Sequence, residues 1–210
     1  MALLHKAELR PSKLELLASW LPDQDWYDGG SAAGVTRVAS YRFDDPAGAV
    51  GVETLLVRVG DGPMYQVPVT YRGTPLADAD DRLLGTAHHS ALGQRWVYDA
   101  CGDPVYAVVL TAAILGGAVQ AQEFFEVDGV REHRPPSMEI TSSCADRSDP
   151  PVVAGPLRVV DGDPTLIVTD SVELAVVRRL GAGAVREDAA LCGTLLGQPA
   201  PMPLAYAVPR

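Results

Sequence analysis

The chain has 210 residues, of which 47% are hydrophobic and 21% are charged, and its formal net charge at pH 7 is −10. This balance is that of a globular protein and argues against disorder. The length fits one large or two small domains. The negative charge argues against nucleic acid or an anionic membrane as a partner, because both need a concentrated positive field.

The cysteines predict a reducing compartment. Cys101, Cys144 and Cys192 are odd in number and far apart, which is typical of free thiols in a cytosolic protein. The N-terminus lacks a long apolar core behind a basic start, so we expect no signal peptide. The longest apolar run, 105–119, is shorter than the ~20 residues that span a bilayer. We therefore expect a cytoplasmic protein.

The first half of the chain predicts an α+β fold. Apolar residues at helical spacing predict a helix over Pro11–Leu21, and Ser12 with Glu15 resembles a capping box. Three alternating runs with short breaks then predict an antiparallel meander, in which Pro68 indicates an edge or a bulge. These runs are 35–43, 50–59 and 65–72.

A buried helix is predicted next, after a short strand at Trp96–Tyr98. Asp103 can cap this helix and Pro104 suits its first position. The run from Val105 to Leu115 is apolar nearly all round, so it is expected to lie against the sheet.

The second half predicts a smaller sheet with one helix. After a strand at 120–127, residues 131–152 are polar and proline-containing and are interpreted as a linker or surface loop. The predicted domains are therefore 1–130 and 153–210. The latter contains strand candidates at 157–160, 165–169 and 172–180, a helix candidate at 186–196 and an irregular proline-rich tail.

The histidines and aspartates of the central stretch do not form a catalytic or metal-binding motif. His88 and His89 have no partner at a ligand spacing, so no metal is expected; one should hydrogen-bond near a turn and the other should be exposed. Asp103 is better explained as a helix cap than as half of a carboxylate pair. Asp99 is expected to pair with Arg95 or Arg72.

Several segments together resemble the N-terminal region of actinobacterial maltokinases. They are AELRPSKLELLASWLP, YRFDDPAGAVGVETLLVRV, YQVPVTYRGTPL, HHSALGQRWVYDACGDPV and LAVVRRL. The resemblance is strongest over residues 41–105. It implies a cap subdomain followed by a subdomain like the small lobe of a protein kinase, in a family that makes maltose 1-phosphate from ATP on the trehalose-to-α-glucan route.

The resemblance also implies that this chain lacks groups that a kinase needs for phosphoryl transfer. The strand matching LAVVRRL carries the family's phosphate-contacting lysine at its second position, where this chain has Ala175. No lysine follows Lys13, and Glu187 or Asp188, which could match the lysine's glutamate partner, would lack that partner. The large lobe with the catalytic aspartate and metal-binding carboxylates is not in the sequence, although phosphoryl transfer needs those groups.

We therefore expect a non-catalytic cap-like protein, without cofactor, that serves in interaction or regulation. A maltokinase or another enzyme of the glucan route is the partner that the resemblance suggests. The residues expected on an interaction surface are Arg72, His88, His89, Arg95, Trp96 and Asp99.

Two alternatives stay open. One is the small-lobe subunit of a split ATP-dependent sugar kinase. The other is a sugar binder, which a tryptophan exposed in a cleft (Trp20, Trp26 or Trp96) would support and three buried tryptophans would weaken.

Overall fold

The computed structural model describes residues 2–4, 8–127, 130–144, 150–155, 157–181, 188–198 and 200–210. Mostly antiparallel sheets and two short helices make up the fold, which confirms the predicted α+β class. The α-helices of the described residues are α1 (Lys13–Trp20) and α2 (Pro104–Leu115). The strands are β1 (Ala2–Leu4), β2 (Leu9–Arg10), β3 (Val35–Asp44), β4 (Gly51–Val59), β5 (Met64–Arg72), β6 (Leu83–His89), β7 (Gly93–Asp99), β8 (Glu123–Val127), β9 (Val130–Arg134), β10 (Met138–Ser142), β11 (Arg158–Val160), β12 (Thr165–Val168), β13 (Val172–Val176), β14 (Arg179–Leu180), β15 (Ala189–Leu195) and β16 (Met202–Pro209).

Helix α1 begins with the capping box that the sequence predicted. The Ser12 hydroxyl accepts a hydrogen bond from the Glu15 N–H at 3.3 Å, and the Glu15 carboxylate accepts one from the Ser12 N–H at 2.7 Å. Two N–H groups that the helix cannot satisfy internally are thereby satisfied. The buried side chains of Leu16 and Leu17 then hold α1 against β3 and β6.

Replacing Ser12 with alanine should therefore lower the free energy of unfolding by about 1 kcal/mol, the usual cost of losing an N-cap. Urea denaturation followed by far-UV circular dichroism measures this change. Ser19→Ala, on the same helix, is the control, because the Ser19 hydroxyl donates only to the Glu15 carbonyl and does not cap the helix. Equal losses for the two variants would contradict the capping role.

The first sheet has the strand order β2-β6-β7-β5-β4-β3, and β14 pairs with β5 beyond this path. The β3-β4-β5 meander is confirmed, but β5 is an interior strand, so Pro68 does not lie on an edge strand. The Gln66 N–H donates to the Arg178 carbonyl, and alternate nitrogens of a strand point to the same side. The Pro68 nitrogen thus points to the side of β5 on which β14 pairs as far as Tyr65 and β7 pairs from Val69 onwards. Pro68 lies between these two paired stretches. Its missing N–H leaves no pairing bond unmade there.

Helix α2 lies between the two large sheets, with Asp103 as its N-cap and Pro104 at its start, as predicted. The Asp103 carboxylate accepts from the Val105 N–H at 2.9 Å. Eight of the twelve residues of α2 are buried, because the helix packs against the first sheet on one side and the second on another.

The second sheet has the order β10-β15-β16-β13-β12-β11, and a third, small sheet has the order β1-β8-β9. The segment 131–152, predicted to be a linker or surface loop, contains most of β9 and all of β10. Met138 of β10 is fully buried in the core beside α2, which explains why this polar segment is a strand there.

Two further predictions for the C-terminal part were wrong. The helix predicted at 186–196 is strand β15 over Ala189–Leu195; residues 186–187 lie outside the described residues. Gly193 lets β15 lie close to the Met138 side chain, which a Cβ at this position would crowd. The tail predicted to be irregular forms β16, an interior strand whose Pro203 lies opposite Cys192 beside a register shift. Proline is tolerated at such an irregularity.

The chain crosses from one large sheet to the other at Val177 and Arg178. Strand β13 belongs to the second sheet and β14 pairs with β5 of the first. One apolar cluster includes Tyr41 and Phe43 of β3, most of α2 and Leu174 of β13. A second cluster, on the opposite face of the first sheet, packs around α1. The predicted division into domains 1–130 and 153–210 stays a prediction.

Candidate binding groove

An open groove of about 670 Å³ lies between the edge strands of the two large sheets. One wall is β3 from Ser40 to Asp44, and the other is β10 from Glu139 to Thr141. The segment 119–123 and the end of β9 complete it. The volume falls within the range of small-molecule and cofactor sites, roughly 300–1,000 Å³.

Individual side-chain and backbone groups hydrogen-bond to the backbone of the edge strands that form both walls. The Ser137 hydroxyl accepts from the Ser40 N–H and donates to the Ser40 carbonyl, both at 2.9 Å. The Ala121 N–H donates to the Arg42 carbonyl at 2.8 Å. On the other wall, the Gln120 amide donates to the Met138 carbonyl at 3.2 Å and accepts from the Ile140 N–H at 2.9 Å.

The groove lining carries three carboxylates, Asp44, Glu123 and Glu139, against the two guanidinium groups of Arg42 and Arg134. Arg134 lies 3.2 Å from the Glu123 carboxylate. Burial would lower the pKa of Arg42, but nearby carboxylates, above all Glu53, raise it instead. Arg42 is therefore a fixed cation in a slightly negative groove.

Behind the groove, Glu53 is a buried carboxylate held by three partners. Lys13 Nζ lies at 2.5 Å, the Tyr71 hydroxyl donates at 2.9 Å, and Arg42 lies at 3.7 Å. Burial alone would raise the pKa of Glu53, but the charges of Lys13 and Arg42 outweigh it and lower the pKa from 4.5 to about 2. This cluster ties α1 to the groove wall.

The depressed pKa of Glu53 has a consequence for stability against pH. A carboxylate with a lowered folded-state pKa contributes stability above its unfolded pKa and loses it as the pH falls through the folded value. Glu53→Gln should therefore cost about 2 kcal/mol at pH 7, as expected for hydrogen bonds to a charged group. The difference between wild type and variant should shrink between pH 4.5 and about 2. Denaturant titrations at several pH values measure this difference, and a pH-independent difference would contradict it.

The predicted surface residues are only partly brought together. Trp96 stands opposite Arg72 on one side and Thr86 on the other, so these three share one face of the first sheet. His88, two residues beyond Thr86, lies on the same face and is exposed. Arg72 is partly engaged, because it makes two 2.6 Å bonds to the Asp103 carboxylate.

His89, Arg95 and Asp99 do not join that face. The His89 ring nitrogen accepts from the N–H groups of Ala91 and Leu92 in the turn, which confirms the expectation of one turn-bonded and one exposed histidine. Arg95 is half-buried and donates to the Gln94 carbonyl.

Asp99 is buried, and its pairing was predicted wrongly. It pairs with Arg178 at 2.7 Å, not with Arg95 or Arg72. Arg178 has no exposed side-chain surface, donates also to Thr165 and lies 4.8 Å from the Trp26 ring centre. Desolvation would lower the pKa of Arg178, but the nearby Asp99, Cys101 and Tyr106 raise this pKa, so the guanidinium remains charged. This pair joins the two large sheets.

The tryptophans do not support a stacking site. Trp20 and Trp26 are buried in the cluster around α1, and Trp96 is half-buried and does not line the groove. Among the described residues, no group of three or more histidine, cysteine, aspartate or glutamate side chains is placed to hold a metal ion.

Ala175, which is expected from the sequence to replace a lysine, lies in an apolar row. The strand registers place it directly between Leu166 and Tyr206, with Ala190 following on β15. Ala175 is 6% exposed and packs with Tyr206 and Ala190. Asp188 is described and has interactions of its own, whereas Glu187 lies outside the described residues.

A family model of the maltokinase N-terminal cap domain matches residues 20–103. Over these residues the chain resembles the N-terminal region of maltokinases. The match covers less than half of the 210 residues, and runs from the end of α1 to the cap of α2. A comparison with curated proteins finds no match. No helix of the described residues is long and apolar enough to cross a membrane.

The cap-like region supplies only one wall of the groove. Strand β3 lies within the match, whereas segment 119–123, β9 and β10 lie outside it. Sequence reasoning missed Gln120 and Arg178, since their partners lie far away in the chain. The one available signal was Arg178 itself, a charge that directly follows the apolar run 174–177 of a strand candidate.

Proposed function

We propose that this chain is a maltokinase N-terminal cap-like module that acts by binding a protein partner and does not transfer phosphate. The observation that carries the proposal is Ala175, which replaces the phosphate-contacting lysine of the resembling family within a buried apolar row. Phosphoryl transfer depends on fixed cations that neutralise the charge on the phosphate oxygens. A methyl group supplies no such charge.

The surroundings of Ala175 also resist restoration of the lysine. Ala175→Lys should destabilise the protein by about 1–3 kcal/mol, because a long side chain must be forced into a packed site. It should not create nucleotide binding, since one cation does not rebuild a phosphate site. Urea denaturation and a thermal-shift assay with ATP–Mg²⁺ measure the two effects. A stable variant that gains ATP binding would contradict the proposed role of the apolar row.

The partner-binding role draws on the face of β6 and β7 that carries Trp96 and His88. Trp96 and Arg72 of the neighbouring β5 lie there, partly buried beside the exposed His88, and tryptophan and arginine are the side chains most enriched at interaction hot spots. The resemblance suggests a maltokinase or another enzyme of the trehalose-to-α-glucan route as partner. The net charge of −10 favours a partner with a basic surface.

An assay of maltose phosphorylation tests this proposal. The purified chain is incubated with maltose and ATP–Mg²⁺, and maltose 1-phosphate is measured by phosphorus NMR. A maltokinase assayed in parallel shows that the conditions support the reaction. We expect no product with the chain alone. Product formation without any added protein would overturn the proposal.

A further inference from the structure

The outer edge of β10 is a strand edge that faces the groove. β10 pairs with β15 on one side, and among the described strands none pairs with the other side. An open strand edge presents N–H and C=O groups that can pair with an added chain. Here the edge faces a space of about 670 Å³, so the groove has room for an added segment beside β10.

The Gln120 side chain shows what this edge can hold. Its amide makes both the 3.2 Å bond to the Met138 carbonyl and the 2.9 Å bond to the Ile140 N–H. A residue of a neighbouring strand would likewise donate to the carbonyl of one β10 residue and accept from the N–H two residues further along. The Gln120 amide therefore reproduces the hydrogen bonds of a paired backbone strand. Gln120 therefore occupies the place of a neighbouring strand with a single side chain.

The rest of the groove favours a basic segment with an apolar residue. Three carboxylates face two guanidinium groups in the lining, so an anion is disfavoured and a cation is favoured. Glu139 projects from β10 itself and is exposed. Val119, at the rim, is 83% exposed and offers an apolar contact.

We propose that the groove binds an extended segment of a partner protein, which adds to the outer edge of β10 in place of the Gln120 side chain and places a lysine or arginine near Glu139. Strand addition of this kind draws affinity from backbone hydrogen bonds and specificity from alternate side chains. The inference rests on the proposed partner-binding function and names the chemistry of the partner.

Peptide selection on the full chain tests the inference. A phage-displayed library of random peptides is panned on the immobilised protein, and enriched peptides are synthesised and titrated by fluorescence polarisation. We expect enrichment of peptides with a basic residue. Glu139→Arg should weaken their binding at least tenfold, whereas Asp61→Arg, the same charge change in the exposed β4–β5 turn, should leave it within twofold.

Two further measurements separate strand addition from simple charge attraction. Gln120→Ala should strengthen binding severalfold, because the peptide no longer displaces a side chain from β10. N-methylation along the bound peptide should weaken binding at every second position, since alternate N–H groups of a strand face its partner.

The groove inference is overturned if no peptide is enriched, if Glu139→Arg and Asp61→Arg behave alike, or if N-methylation shows no alternation. It is also overturned if Trp96→Ala abolishes binding while Glu139→Arg does not. In that last case a partner binds at the β6–β7 face, so the proposed function stands and only the groove falls. Maltose phosphorylation by the chain would instead remove the proposed function.

Discussion

Replacing Arg178 with methionine is expected to lower the free energy of unfolding by about 3–5 kcal/mol, the cost of breaking a buried ion pair. Methionine fills similar space but leaves the Asp99 carboxylate, which is 1% exposed, without its cation. It also removes the bond to Thr165 and the contact with the Trp26 ring. Urea denaturation followed by circular dichroism measures the loss.

The neighbouring residue supplies a matched control for this prediction. Arg179→Met removes the same charge from an ion pair with Asp28, but those side chains are 41% and 54% exposed. Solvent-exposed pairs contribute about 0–1 kcal/mol, so this variant should remain close to wild type. Similar losses for the two variants would show that charge number, not the buried pair, determines the effect.

Replacing Gln66 with leucine should cost about 3 kcal/mol, because three buried or partly buried hydrogen bonds of its side-chain amide are lost. The Gln66 amide donates to the carbonyls of Val177 and Leu204, each at 2.8 Å, and accepts from the Tyr41 hydroxyl at 3.1 Å. Its side chain therefore connects β5 of the first sheet to the second sheet. Leucine fits the volume but satisfies none of these groups.

Gln94→Leu is the control, since Gln94 is exposed and such surface changes usually stay within about 0.5 kcal/mol. The Gln66→Leu variant should still unfold in a single transition if the two large sheets form one cooperative unit. A separate early transition, or a loss no larger than that of Gln94→Leu, would mean that Gln66 does not couple the sheets.

Local signals predicted the helix starts well. The capping box of Ser12 and Glu15 and the cap of Asp103 before Pro104 depend on residues within three positions of each other. Such contacts form inside one segment, so the sequence contains all the information they need. The alternating runs of the meander were predicted for the same reason.

The errors lie where distant strands decide the conformation. Leu191 and Leu195 are spaced as on one face of a helix, yet they lie in β15 because β10 and β16 flank it on both sides. Short apolar runs do not distinguish the two states by periodicity alone. Pro203 similarly argued against a strand, but its position beside the register shift accommodates it.

The groove and the buried ion pair between the sheets were out of reach for a comparable reason. Arg178 and Asp99 are 79 positions apart, and Ser40 and Ser137 are 97 apart. No pattern in a single sequence pairs such residues. The polar residues of the central stretch divide between a face that carries Trp96 and the exposed His88 and a buried pair at Asp99.

Under the proposed function, the absence of a lysine at Ala175 and the strand edge in the groove let the chain bind a partner without transferring phosphate. Ala175 lies in a buried apolar row, and the groove offers a strand edge outside the cap-like region. The two features lie on different parts of the second sheet, so loss of the first need not impair the second.

Calorimetric titration of the full chain with ATP–Mg²⁺ tests the central claim most directly. The account predicts no binding at millimolar nucleotide, since Ala175 supplies no charge to the phosphates. Saturable binding of ATP–Mg²⁺ in the micromolar range would contradict it.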